Sequence, residues 1–161
     1  MERKKLDTLG KEGRDIAGQL WNLIDMLGIT ETQSRLVAGT KALHHVLPDL
    51  VPPMDRAYTA AFFGWSPQRL QGREAAFFAL AFPVYANIAE RARAERYASG
   101  GWNSSISKVV DNAVVGYCKH YRLDQASYQK ALVAKAKELG IYDQIVVEAR
   151  ARAQSDPVPD T

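Results

Sequence analysis

The stretch GTKALHHVLPDLVPPMDRAYTAAFFGW, residues 39–65, decides the fold. It reads as the end of one helix, a stiff corner and the start of another. Leu36, Gly39, Leu43, Val46 and Leu47 recur at helical spacing, and Pro48 ends that run because it lacks the amide the next turn would need. Pro48, Pro52 and Pro53 fix their own φ and push the residues before them toward extended geometry. The next helix begins near Met54 or Asp55, with Met54, Tyr58, Ala61, Phe62 and Trp65 on its inner face; Gly64 and Ser66-Pro67 close it.

Helical punctuation continues on both sides of the corner. Upstream, Ile16, Leu20, Leu23, Ile24 and Leu27 share a face that should stop at Gly28. The charged residues 1–13, with Gly10 and Gly13, read as a fraying end. Thr30 to Gln33 fits a capping box for the next helix, while Gly39 either admits another backbone or breaks that helix in two. Downstream, Gly72 to Tyr97 is apolar on more than one face, as a long central helix should be, and Pro83 is expected to kink it.

Arg91, Arg93 and Arg96 lead into solvent before Ser99-Gly100-Gly101 turns the chain. Ile106, Val109, Val110, Ala113, Val114, Tyr117, Cys118 and Tyr121 then form the face of an amphipathic helix, with Lys108, Asp111, Asn112 and Lys119 off it. Asp124 caps a further segment stopped by Gly140, and Ile141 to Ala153 forms a last short helix. The expectation is one all-α domain over residues 1–153, about six to seven helices, followed by a disordered tail at 154–161.

Composition sets the bounds. The 161 residues, 47% hydrophobic and 24% charged, suit one globular core. A net charge of +3 is compatible with an anionic partner without demanding one. The single cysteine excludes a disulfide framework and suggests a reducing, cytoplasmic setting. The N-terminus lacks the apolar core of a secretory signal. Ala75 to Ala89, interrupted by Pro83 and Asn87, is too short to span a membrane.

At the corner, Lys41, His44 and His45 neighbour one another on a helix, and Asp55 opens the next one. A lysine crowded by imidazoles and partly desolvated becomes a nucleophile or base, with Asp55 as its carboxylate partner. The other reading makes Asp55 a helix cap and lets Lys41 reach solvent. Gly39-Thr40-Lys41-Ala42 followed by Asp55-Arg56-Ala57-Tyr58-Thr59 resembles the helix-hairpin-helix DNA glycosylases. Lys41, Leu43-His44, Pro48, Pro52 and Asp55 also resemble a group of uncharacterised bacterial helical proteins. The resemblance implies that Lys41 stands where bifunctional glycosylases keep the amine that attacks the sugar. It likewise implies that Asp55 stands where they keep the carboxylate stabilising a cationic transition state. The hairpin glycines of that family are reduced here to Arg35-Leu36-Val37-Ala38-Gly39, and the lysine-to-aspartate interval is shorter.

A second set of candidates is basic. Arg91, Arg93, Arg96, Lys108, Lys119 and Arg122, interleaved with Trp102 and Tyr121, could hold phosphates and stack on bases, or form a solvated face. His44, His45 and His120 give no metal-binding spacing, since adjacent helical histidines point about 100° apart. No cofactor or metal is expected. Two functions remain open: a DNA-binding domain related to helix-hairpin-helix proteins, and a non-catalytic structural or interaction module with a protein partner or a second copy of itself.

Overall fold

The computed structural model describes residues 4–29, 35–65, 70 and 72–123, together with positions 130, 134, 137 and 138. By its contacts the chain divides into two compact units, Met1–Asp124 and Gln125–Thr161. The segments expected after Asp124, the tail at 154–161 and the Thr30–Gln33 capping box lie outside the described residues.

The described part of the first unit is all-helical. Its five α-helices are α1 (Gly13–Leu27), α2 (Arg35–Val46), α3 (Arg56–Phe62), α4 (Glu74–Ala92) and α5 (Ile106–His120). Tight 3-10 turns occupy Leu6–Thr8, Gly10–Glu12 and Ala94–Tyr97. No strand occurs among the described residues, and no helix among them is long and apolar enough to cross a membrane.

Helix α4 is the central element. It packs against α1, α2, α5 and both N-terminal turns, and its Phe77, Phe78, Phe82 and Tyr85 are fully buried. Phe77 meets Phe63 edge-on at 5.5 Å between ring centroids and Trp65 at 5.2 Å, so α3 and the residues after it are joined to α4 through aromatic contacts. The helix is assigned without a break through Pro83 and ends at Ala92, short of the expected Tyr97. Arg93, at φ 51, turns it left-handed, and its amide donates to the Ala89 and Glu90 carbonyls.

Residues 4–13 differ from the fraying expected of them. Leu6 and Leu9 are buried, and the Leu6 amide donates to the Asp49 carbonyl at 2.9 Å. Two leucines in a charged run supply enough apolar surface to dock the turns on α4.

Gly28 ends α1 in the left-handed conformation, as the sequence implies. Gly39 does not break α2, and what comes close to it is a side chain where a backbone was expected. A Cβ there would collide with the Ile24 side chain, so the missing side chain is what lets α2 cross α1. Glu74 adds a polar tie, its Oε2 accepting the Leu36 amide at 2.9 Å. That amide is among the first of α2, which have no partner inside the helix.

The α1–α2 crossing yields a test. Gly39→Ala gains helix propensity but overpacks the site, and it should destabilise the protein by about 1–3 kcal/mol in urea unfolding. Ile24→Ala vacates the colliding atoms, so the double variant should lose clearly less stability than the sum of the two single losses. Strict additivity would remove Gly39 from its role as the crossing point.

Candidate functional site at the proline corner

The corner forms because its prolines cannot donate. With no amide on Pro48, Pro52 or Pro53, the carbonyls of the turn need donors from elsewhere. The Leu50 and Val51 amides return to the Leu47 carbonyl at 3.1 and 2.9 Å and close the turn. The Pro48 and Val51 carbonyls then face α5, where Ser107 meets both. Its Oγ lies 3.0 Å from the Val51 oxygen and closer still to that of Pro48.

His44 completes this knot. Its Nδ1 lies 2.8 Å from the Val51 carbonyl oxygen. A carbonyl only accepts, so Nδ1 carries the proton and, in the neutral ring, Nε2 keeps the lone pair. Ser107 Oγ, 3.2 Å from the same Nδ1, accepts from it in turn and directs its own proton to a corner carbonyl. Asp49 makes the reciprocal contact, its Oδ1 accepting the Ile106 amide at 3.2 Å, while Ser105 caps α5 by accepting from the Lys108 amide at 3.3 Å. The corner is thereby fastened to the start of α5.

Asp55 acts as the cap of α3. Its Oδ1 accepts the Ala57 amide at 2.9 Å and the Tyr58 amide at 3.0 Å. Lys41 stands exposed on α2, and no hydrogen bond or ion pair joins it to Asp55 among the described residues. A cleft of about 240 Å³ on the outer side of the corner is lined by Lys4, Lys5, Val46, Pro48 and Leu50, with neither Lys41 nor Asp55 beside them.

Sequence reasoning placed Asp111 off the buried face of α5, and the structure reverses that. Asp111 is only 4% exposed. Its Oδ2 receives the Lys108 ammonium at 2.7 Å, and its Oδ1 is buried with no hydrogen-bond partner. Burial pushes this carboxyl above its ordinary value of 3.8, and the charge on Asp55 adds to the rise; Lys108 and His44 oppose it. Ser107 was missed entirely. Conversely Ala113, Tyr117 and Tyr121, expected inside, are exposed. The α3 face is shifted too: Thr59 and Ala60 are buried, while Tyr58, Ala61, Phe62 and Trp65 only half-cover the core. Thr59 meets the buried Tyr85 hydroxyl at 3.2 Å, and burial drives that phenol far above its ordinary value.

The structure separates the basic candidates by what engages them. Lys108 is held by Asp111, and the Lys119 ammonium lies 5.6 Å over the Tyr58 ring. Arg91, Arg93, Arg96 and Arg122 are exposed and make no ion pair among the described residues. No group of three His, Cys, Asp or Glu suited to a metal ion occurs among the described residues. In comparisons with known proteins, no family model, curated protein or solved structure matches the chain.

Two outcomes test the corner. Ser107→Ala removes the hydroxyl that joins α5 to the Pro48 carbonyl and to His44, while the Val51 carbonyl keeps its His44 donor, and a loss of about 0.5–1.5 kcal/mol is expected in urea unfolding; an unchanged midpoint would remove Ser107 from the knot. Asp111 sets a pH signature. Its folded pKa is raised, so the folded state binds the proton more tightly, and stability falls as pH climbs from 3.8 through the folded value. Asp111→Asn should abolish that decline, seen as a difference between variant and wild type that changes only within this window. Parallel stability profiles across it would contradict the burial of a titrating carboxyl.

Proposed function

We propose that the chain is a nucleic-acid-binding helical domain, related in layout to helix-hairpin-helix proteins, that holds phosphates on the surface formed by the end of α4 and the outer side of α5. The observation carrying this reading is the run of arginines where α4 ends. Arg91, Arg93 and Arg96 stand exposed within six residues of one another without an ion pair among the described residues, and Arg122 does the same after α5; Lys11, Arg14, Lys41 and Arg73 are unpaired too but make no such run. Free guanidinium groups match phosphate geometry and release counterions when they bind.

Backbone geometry supports it further. Among the described residues the non-glycine positions with positive φ are Arg93 at 51° and Arg122 at 55°. A side chain in that conformation costs about 1–2 kcal/mol relative to its absence. Arginine therefore stands at two positions where glycine would relieve the strain, which is consistent with a role for the side chain itself.

The second reading is a structural module, and the bonds made by Asp55 favour it over lyase chemistry. Its Oδ1 is already committed to two backbone amides. On this reading Lys41 and Asp55 are a surface cation and a cap, and the corner serves only to hold α2, α3 and α5 together.

Salt titration of binding to a short labelled duplex tests the proposal. The affinity should fall steeply with salt, and Arg91→Ala with Arg96→Ala should reduce the logarithmic slope by about 2, roughly 0.9 per lost phosphate contact. Arg93→Gly should weaken binding while stabilising the fold by up to about 1 kcal/mol. Borohydride trapping on an abasic duplex separates the two readings: an adduct lost in Lys41→Ala would restore the glycosylase-like chemistry. No binding at low salt would leave the structural module.

A further inference from the structure

The loop before α5 holds the backbone that carries an exposed indole. The Ser99 and Gly100 amides donate to the Asn103 carbonyl at 3.1 and 3.2 Å, and the Asn103 amide returns to the Gly100 carbonyl at 3.0 Å. Gly100 and Gly101, at φ 90 and 56, supply the left-handed geometry of this turn. Asn112 then clamps the loop onto α5. Its Nδ2 donates to the Trp102 carbonyl at 2.6 Å and to Asn103 Oδ1 at 3.0 Å. The Trp102 backbone is therefore tied to the helix while the residue remains 85% exposed. With its backbone held, the indole has only its own side-chain torsions to order on contact with a planar partner.

Cations precede and follow it along the chain. Arg93 and Arg96 belong to the turn that leads into the loop, and the Ala94–Tyr97 turn packs against α5. On α5, Asn112, Gly116 and Lys119 follow at i, i+4 and i+7 and share one outward side, with about 10 Å of helix between Asn112 and Lys119. Nothing lies within 4 Å of where a Gly116 Cβ would be, so the floor between indole and ammonium is bare helix.

We propose that this strip binds single-stranded nucleic acid, an unpaired base stacking on Trp102 and the flanking phosphates contacting Arg93, Arg96 and Lys119. The inference rests on the nucleic-acid reading and narrows it. Cations alone serve duplex and single strand alike. A base inside a duplex has both faces covered by its neighbours, and only an unpaired one offers a face to an indole. The positive charge around Trp102 selects a polyanion over an apolar protein surface.

The experiment is fluorescence anisotropy with a short labelled oligothymidylate strand and a duplex of equal length at two salt concentrations, using the whole chain and Trp102→Ala. The wild type should prefer the single strand, and the variant should lose roughly tenfold in affinity for it, with less than about a twofold loss for the duplex. Because Trp102 is exposed, the variant should melt as the wild type does. Protein fluorescence should be quenched by the strand in the wild type and much less in the variant, where Trp21 and Trp65 remain. Binding that favours duplex, or that Trp102→Ala leaves unchanged, overturns the single-strand inference while leaving the phosphate surface standing. Absence of binding to either probe at low salt overturns both.

Discussion

The rest of the first unit depends on how a proline-rich turn satisfies its carbonyls. Three prolines between Pro48 and Pro53 remove three amides, and the Pro48 and Val51 carbonyls they leave are turned toward α5. One hydroxyl, Ser107, and one imidazole, His44, meet that need from two different helices. The bonds therefore do more than close a turn. They fix where α5 begins relative to α2, and Asp49 and Ser105 strengthen the same junction by taking α5 amides that have no partner inside the helix. With α5 placed, its Val110, Val114 and Cys118 pack into the buried cluster shared with α4.

This dependence explains why polar groups at the corner belong mainly to architecture. A buried hydrogen-bonding group left unpaired costs about 1–3 kcal/mol, comparable to a large part of a small domain's stability. Asp55 answers such a need at the start of α3, and Glu74 does so at the start of α2. Glu74 Oε1 and Asp111 Oδ1 are exceptions, each buried without a hydrogen-bond partner among the described residues, and Asp111 shows the consequence. Its ion pair with Lys108 holds Oδ2, and its raised pKa records the tension between that pair and burial.

The helices were legible in the sequence because periodicity and punctuation agree: Gly28 stops α1, Asp55 opens α3, and the apolar run through Phe77 and Tyr85 becomes the central helix. The errors share a cause. Leu6 and Leu9 are buried within a charged run, and Ser107 and Asp111 lie on the stripe that continues through Val114 and Cys118 at i, i+4, i+7 and i+11. Reading residue type before position hid them. A polar residue on an apolar stripe signals a buried hydrogen bond, and that signal was present without a structure. Which carbonyl Ser107 meets was not legible, because the partner lies 59 residues away.

The surface of the α4 end and α5 shows the opposite economy from the corner. There the backbone adopts left-handed turns at Arg93 and Arg122, and a clamped loop holds Trp102 in solvent, with no compensating hydrogen bond or burial for those side chains among the described residues. Selection for stability alone favours glycine at such turns and packs an indole away. The Arg93, Arg122 and Trp102 side chains are therefore not accounted for by the stability of the fold. Asp55, by contrast, is accounted for by the cap it supplies to α3, where its Oδ1 accepts the Ala57 and Tyr58 amides.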